Sequence, residues 1–204
     1  MLQNKKLRWI RVGQAVSLLL IVLGGTVQAA DIPSFDRVRV LESPKSIDAG
    51  AFTDQDGQPF TFEQLDGRVA LVFFGYTSCP DVCPLAMESL RQFREAWEGD
   101  SSRIAVVMVS VDGENDSPEV MKTFLNQYGT DFIGLTADPG DVKRFSSQFS
   151  VAFFKRNSGA HGDYAIAHSP QIFLLDAQRR LRAELYSPSL EAMLGVTQAL
   201  LESE

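Results

Sequence analysis

A near-continuous apolar run from Val69 to Tyr76 meets Thr77-Ser78-Cys79-Pro80-Asp81-Val82-Cys83-Pro84, and no other stretch limits the possible folds so strongly. Uninterrupted Val, Leu and Phe mark a strand covered on both faces, which a sheet packed between helices provides. Pro84, tolerated in a helix's first turn, opens a helix over Leu85 to Trp97, where Met87, Leu90, Phe93 and Trp97 recur at helical spacing. The chain's only two cysteines therefore sit where a central strand turns into a helix. Unpaired backbone N–H groups and the helix dipole favour a negatively charged sulfur there.

Similar reasoning orders the rest of the chain. Asp54-Gln55-Asp56-Gly57 separates Ala49–Thr53 from Pro59–Phe62 and predicts a β-hairpin. Ile104 to Val111 reads as a second buried strand. Ser117 and Pro118 form the cap and first residue of a helix over Glu119 to Tyr128. A shorter extended segment spans Asp131 to Thr136, and Val142 to Phe149 reads as a helix. Lys155 to Gly162 is a polar loop, Gln171–Leu175 and Leu181–Tyr186 a hairpin, and Ser189 starts a closing helix to Leu201. The predicted architecture is an α/β sandwich, a central mixed β-sheet flanked by helices with an N-terminal β-hairpin. In such sheets, sites lie at the carboxyl ends of strands, where the cysteine pair falls.

The first thirty residues stand apart. Lys5, Lys6, Arg8 and Arg11 precede the uncharged stretch Val12 to Val27, and no acidic residue occurs before Asp31. Sixteen uncharged residues fall short of the roughly 20 that span a bilayer, which favours a signal peptide cleaved after Ala29 over a membrane anchor. The expected division is a leader over 1–29, a tether over 30–45 and one domain over 46–204. Losing the leader leaves 15 basic against 26 acidic residues, a net charge of −11. That acidity argues against nucleic acid or an anionic membrane surface as a partner.

An exported chain meets oxidising conditions, where a structural disulfide is the plain reading of two cysteines. A disulfide closing so short a loop stabilises little, and exposed short-loop disulfides tend to be labile and functional. Three residues separate Cys79 from Cys83, and positions four apart on a helix share a face, so both sulfurs can meet one ion. The same proximity permits a disulfide, and metal binding competes with redox exchange for the sulfurs. Met87 continues that face and reads as core. Of the two histidines, His161 lies in a polar Gly-rich loop, whereas His168 precedes the strand Gln171–Leu175 at the level of the dithiol. Two thiolates with one imidazole suit Cu(I), and also Cu(II). Zinc would ask for a fourth ligand that the chain does not offer. The competing reading of His168 is a hydrogen-bonded histidine at a strand start.

The segment Gly75 to Pro84, together with His168-Ser169 and Ser110-Val111-Asp112-Gly113-Glu114-Asn115-Asp116-Ser117-Pro118, resembles the Sco (SenC) family of thioredoxin-like copper proteins over about Ser46 to Leu201. The resemblance implies a thioredoxin-like fold and copper held by Cys79, Cys83 and His168. It also implies a role in delivering copper to the CuA centre of cytochrome c oxidase, or in keeping that centre's cysteines reduced. The implied partner is the CuA-bearing oxidase subunit, met in the periplasm or at the periplasmic face of the inner membrane. The chain is then not an enzyme in its main role, and a disulfide between Cys79 and Cys83 forms when the metal is absent. Two departures tilt towards thiol exchange. Ala167 stands where the family has Asp, and Pro170 falls where thioredoxin-like redox proteins place a cis-proline, which predicts a cis Ser169–Pro170 bond. The alternative function is therefore a periplasmic thiol-disulfide oxidoreductase or redox sensor. A peroxiredoxin-type peroxidase fits poorly, because Tyr76 and Val72 stand where its threonine and proline are required.

Overall fold

The computed structural model describes residues 34–157, 164–167 and 170–203. The segment expected to be a leader, His161, His168 and the Ser169–Pro170 bond lie outside the described residues. In chain order the strands are β1 (Val38–Ser46), β2 (Phe52–Asp54), β3 (Pro59–Phe60), β4 (Val69–Gly75), β5 (Ile104–Ser110), β6 (Ile133–Thr136), β7 (Phe154–Asn157), β8 (Tyr164–Ala167), β9 (Ile172–Leu175) and β10 (Arg180–Leu185). The helices are α1 (Val82–Ala96), α2 (Pro118–Leu125), α3 (Pro139–Ser147) and α4 (Leu190–Glu202).

Eight strands form one open sheet in the order β1-β10-β9-β4-β5-β6-β2-β3, and β7 pairs with β8 in a separate ribbon. Strand β4 runs parallel to β5 and antiparallel to β9, while β5 runs parallel to β6. The sheet is thus mixed, as the sequence predicts. Every residue of β4 and β5 is buried, which accounts for their unbroken apolar composition.

Register divides the helices between two faces. Phe73, Met108 and Gly134 align across β4, β5 and β6 and share one face. A Cβ on Gly134 would stand 2.5 Å from Leu125 and 3.0 Å from Met121, so α2 packs closely there. Helices α1 and α4 touch each other, and α4 reaches β4. Phe74 points the other way into a ring cluster with Phe145 of α3, Phe149 just beyond it and Phe173 of β9, at centroid distances of 5.1 to 6.3 Å. Phe62, from the 3₁₀ turn between β3 and β4, extends that cluster to Phe145 at 4.5 Å.

Local chemistry sets the element ends. Asp54 Oδ1 accepts from the backbone N–H groups of Asp56 and Gln58, and Gly57 takes φ +75°, closing the β2–β3 hairpin. Ser117 caps α2 by accepting from the Val120 N–H, and Ser189 caps α4 by accepting from the Ala192 N–H.

Four expectations need correction. The segment assigned to a tether becomes strand β1 from Val38 onward, paired antiparallel with β10 and irregular between Val40 and Lys45. An edge strand that is mostly exposed carries no hydrophobic alternation, and Pro44 sits in the irregular stretch where an edge tolerates it. The polar loop from Lys155 is in part strand β7, running to Asn157. Helix α3 begins at Pro139 rather than Val142, because Asp138 and Pro139 supply a cap position and first residue. Helix α1 begins at Val82, so Pro84 occupies its first turn without opening it.

The β9–β10 turn is organised around buried Asp176. Its carboxylate accepts from the Gln178 and Arg180 N–H groups at 3.1 and 2.9 Å, from Arg180 Nε at 2.7 Å and from the buried Arg182 side chain at 3.3 Å. Asp176→Ala would leave a buried guanidinium without its counter-charge. The expected cost is about 3–5 kcal/mol, read from urea unfolding; a loss under about 1 kcal/mol would show that this cluster does not hold the hairpin.

Candidate metal and thiol site

The site is built at the carboxyl end of β4. The Val111 N–H donates to the Gly75 carbonyl at 2.8 Å, continuing the β4–β5 pairing past the strand end. The chain then turns, with the Cys79 N–H donating to the Tyr76 carbonyl at 3.3 Å. Cys79 lies three residues ahead of α1 and Cys83 in its first turn, so the two do not share a helix face. The turn, rather than helical spacing, brings them together.

Cys79 and Cys83 are not joined in a disulfide; Cys79 is 7% exposed and Cys83 fully buried. Burial pushes the Cys83 thiol far up, hydrogen bonding and charge from Cys79 push it further, and a hydrogen bond from the Tyr76 backbone opposes the rise. Gly75 is required for this packing: a Cβ there would stand 3.1 Å from the Cys83 sulfur and 2.5 Å from the Phe73 ring. Met87 is fully buried in the core, as its spacing predicts.

Asp116, 1% exposed, fastens the cysteine loop to β5. It accepts from the Thr77 N–H at 3.1 Å, from the Thr77 hydroxyl at 2.5 Å and from the Ser110 hydroxyl at 2.6 Å. Ser110 in turn accepts from the Asp112 N–H at 3.0 Å, and Asn115 donates to the Asp112 carboxylate. The composition of the loop after β5 hinted at a polar cluster, but only the fold reveals that Asp116 faces Thr77.

The strand leading to the distal histidine is anchored to the same loop. The Ile166 N–H of β8 donates to the Tyr76 hydroxyl at 3.2 Å. On the far side, Pro170 lines an apolar groove of about 290 Å³ with Val82, Leu85, Ala86, Ile172 and Pro188. Ile166 and Pro170 bracket His168 in sequence, and both lie against the segment that carries the cysteines. Among the described residues, no three His, Cys, Asp or Glu side chains form a metal cluster. The two sulfurs are a soft, water-poor donor pair, which fits copper better than calcium or magnesium.

Removing the Asp116 carboxylate by Asp116→Ala leaves the Thr77 amide and the Ser110 hydroxyl without an acceptor, at an expected cost of about 2–3 kcal/mol. Burial holds this carboxyl above the ordinary range, Asp112 adds to the rise, and the Ser110 and Thr77 hydrogen bonds oppose it. Its contribution to stability is therefore full below the unfolded value of about 3.9 and lost as pH rises through the higher folded value. Denaturant unfolding from about pH 4 upward should show wild type losing ground to Asp116→Asn. A difference independent of pH would contradict the raised carboxyl.

The SCO1/SenC family model matches residues 44–198. A Stutzerimonas stutzeri protein named for copper binding is 30% identical over 195 residues, covering 92% of this chain and 95% of its own. Among solved structures, copper-bound ScoI of Bradyrhizobium japonicum is 31% identical, with a TM-score of 0.65, covering 78% of this chain and 98% of that one. Apo Sco1 of Thermus thermophilus is 29% identical, with a TM-score of 0.72, covering 82% and 97%. With a dithiol at the end of β4, a thioredoxin-like sheet behind it and a family match across most of its length, the chain belongs to the SCO1/SenC family.

Proposed function

We propose that this chain binds copper through Cys79, Cys83 and His168 and serves cytochrome c oxidase assembly. In that role it delivers copper to the CuA centre of the oxidase subunit or keeps that centre's cysteines reduced. It works as an exported protein, in the periplasm or facing it from the inner membrane. The observation that carries the reading is the meeting of two buried thiols, not joined in a disulfide, with the strand that leads to His168, which is hydrogen-bonded to Tyr76 beside them.

Copper is the cargo, and the chain's own residues define how it is taken. Both thiols must lose their protons to ligate, so loading releases protons and weakens as pH falls. Burial of Cys83 strengthens this dependence, since its thiol holds its proton unusually firmly. An apolar groove lies beside Val82, next to the cysteine segment, and Leu85, 65% exposed, marks its rim.

A second reading, thiol-disulfide exchange with a partner protein, is favoured by the two buried thiols in one turn at the end of β4 and by Pro170 at the groove. Competition titration against a Cu(I) chelator separates the two. His168→Ala is expected to weaken copper binding about 10-fold or more while preserving the fold, and Cys83→Ser to abolish tight binding. If His168→Ala keeps both wild-type affinity and cellular oxidase assembly while either cysteine substitution abolishes assembly, exchange is the function and the copper reading fails.

A further inference from the structure

Asp116 is a buried carboxylate outside the donor set of the site, and it stands on a rigid platform. Its own N–H and that of Asn115 donate to the Asp112 carbonyl at 2.9 and 2.8 Å, and the next residue, Ser117, caps α2. From there its carboxylate accepts from the Thr77 N–H at 3.1 Å, the Thr77 hydroxyl at 2.5 Å and the Ser110 hydroxyl at 2.6 Å. A buried carboxylate is a costly way to fasten a loop, because its desolvation must be offset by hydrogen bonds.

The residue it grips is the one where the chain leaves the interior. Tyr76 is buried, Thr77 half-buried, and Ser78, Pro80 and Asp81 are exposed, whereas Cys79 among them is buried. Downstream, α1 fixes the chain from Val82 and sets the Cys83 sulfur against Gly75. Residues 78–81 therefore form a short bridge between two fixed points, with Cys79 as its buried member. We propose that Asp116 is a positioning residue for the dithiol: by clamping Thr77 it confines Cys79 to the neighbourhood of Cys83, and so sets how readily the two sulfurs join. This rests on the reading of Cys79 and Cys83 as the working pair. It adds what makes them a pair although they share no helix face. Holding two groups in place raises their effective concentration, by orders of magnitude where the orientation is good. The apolar groove beside Val82 cannot substitute for the clamp, since none of residues 77–81 lines it.

Exchange with glutathione disulfide reads this property directly. The Cys79 thiolate attacks one sulfur of glutathione disulfide, forming a mixed disulfide and releasing one glutathione thiolate. The Cys83 thiolate then displaces the second glutathione from Cys79. The dithiol gives up two electrons and two protons, and glutathione disulfide becomes two glutathione thiols.

Purified wild type, Asp116→Ala, Thr77→Val, Ser110→Ala and Asp54→Ala are equilibrated in glutathione buffers of graded ratio. The fraction of each protected from thiol alkylation gives the equilibrium constant, which is the effective concentration of the pair. Asp116→Ala should lower it about 10-fold or more. Thr77→Val, which keeps the side-chain shape and removes one hydroxyl, should lower it about threefold. Asp54→Ala weakens the β2–β3 turn and touches no cysteine, so its constant should stay within about twofold of wild type. Stability lost equally by both redox forms cancels from the constant, which separates positioning from a merely structural role. If Asp116→Ala does not fold, Thr77→Val and Ser110→Ala decide the matter from the two sides of the clamp. Wild-type constants in the folded clamp variants, or an equal fall in Asp54→Ala, would overturn the inference. A wild type that closes no disulfide at any ratio would overturn it together with the exchange reading. Copper binding, measured by chelator competition on the same preparation, is then judged separately.

Discussion

The whole arrangement depends on the burial of β4. Seven consecutive residues lie inside the molecule, between parallel β5 and antiparallel β9, with α1 and α4 toward one face and α3 on the other. A strand enclosed in this way cannot slip by a residue without turning its phenylalanines to the wrong side, since side chains alternate between faces. The position of Gly75 is therefore fixed, and with it the point where the chain leaves the sheet. Everything chemical in the molecule starts at that point.

Two different restraints then shape the loop. The polar one is Asp116, which holds Thr77 by its amide and hydroxyl and is itself held by Ser110 at the end of β5. The apolar one is close packing: Cys83 rests against the bare backbone of Gly75, and Met87, Leu90 and Phe93 continue the buried face of α1. The dithiol is thereby enclosed on a rigid support while Cys79 retains slight exposure. Copper delivery and disulfide exchange both ask for this combination of a firm frame and one approachable sulfur.

Much of this was legible in the residues. Unbroken apolar runs identified β4 and β5, serine caps placed α2 and α4, and an Asp-rich turn placed the β2–β3 hairpin. What stayed hidden had physical causes. Strand β1 is an exposed edge whose pairing with β10 depends on a partner more than 130 positions away, so no local pattern records it. The Asp116–Thr77 clamp spans 39 positions and the Tyr76–Ile166 hydrogen bond 90, distances that spacing rules do not cross. The helical-face argument for Cys79 and Cys83 does not hold, because α1 starts only at Val82 and Cys79 lies ahead of it.

The central claim is that two sulfurs and one imidazole act together on copper. X-ray absorption spectroscopy of the Cu(I)-loaded domain at the copper edge tests it most directly. The account predicts a three-coordinate ion with two sulfur neighbours and one nitrogen, the nitrogen disappearing in His168→Ala. A site with sulfur ligands alone in the wild type, or copper shared between molecules through single thiolates, would contradict it.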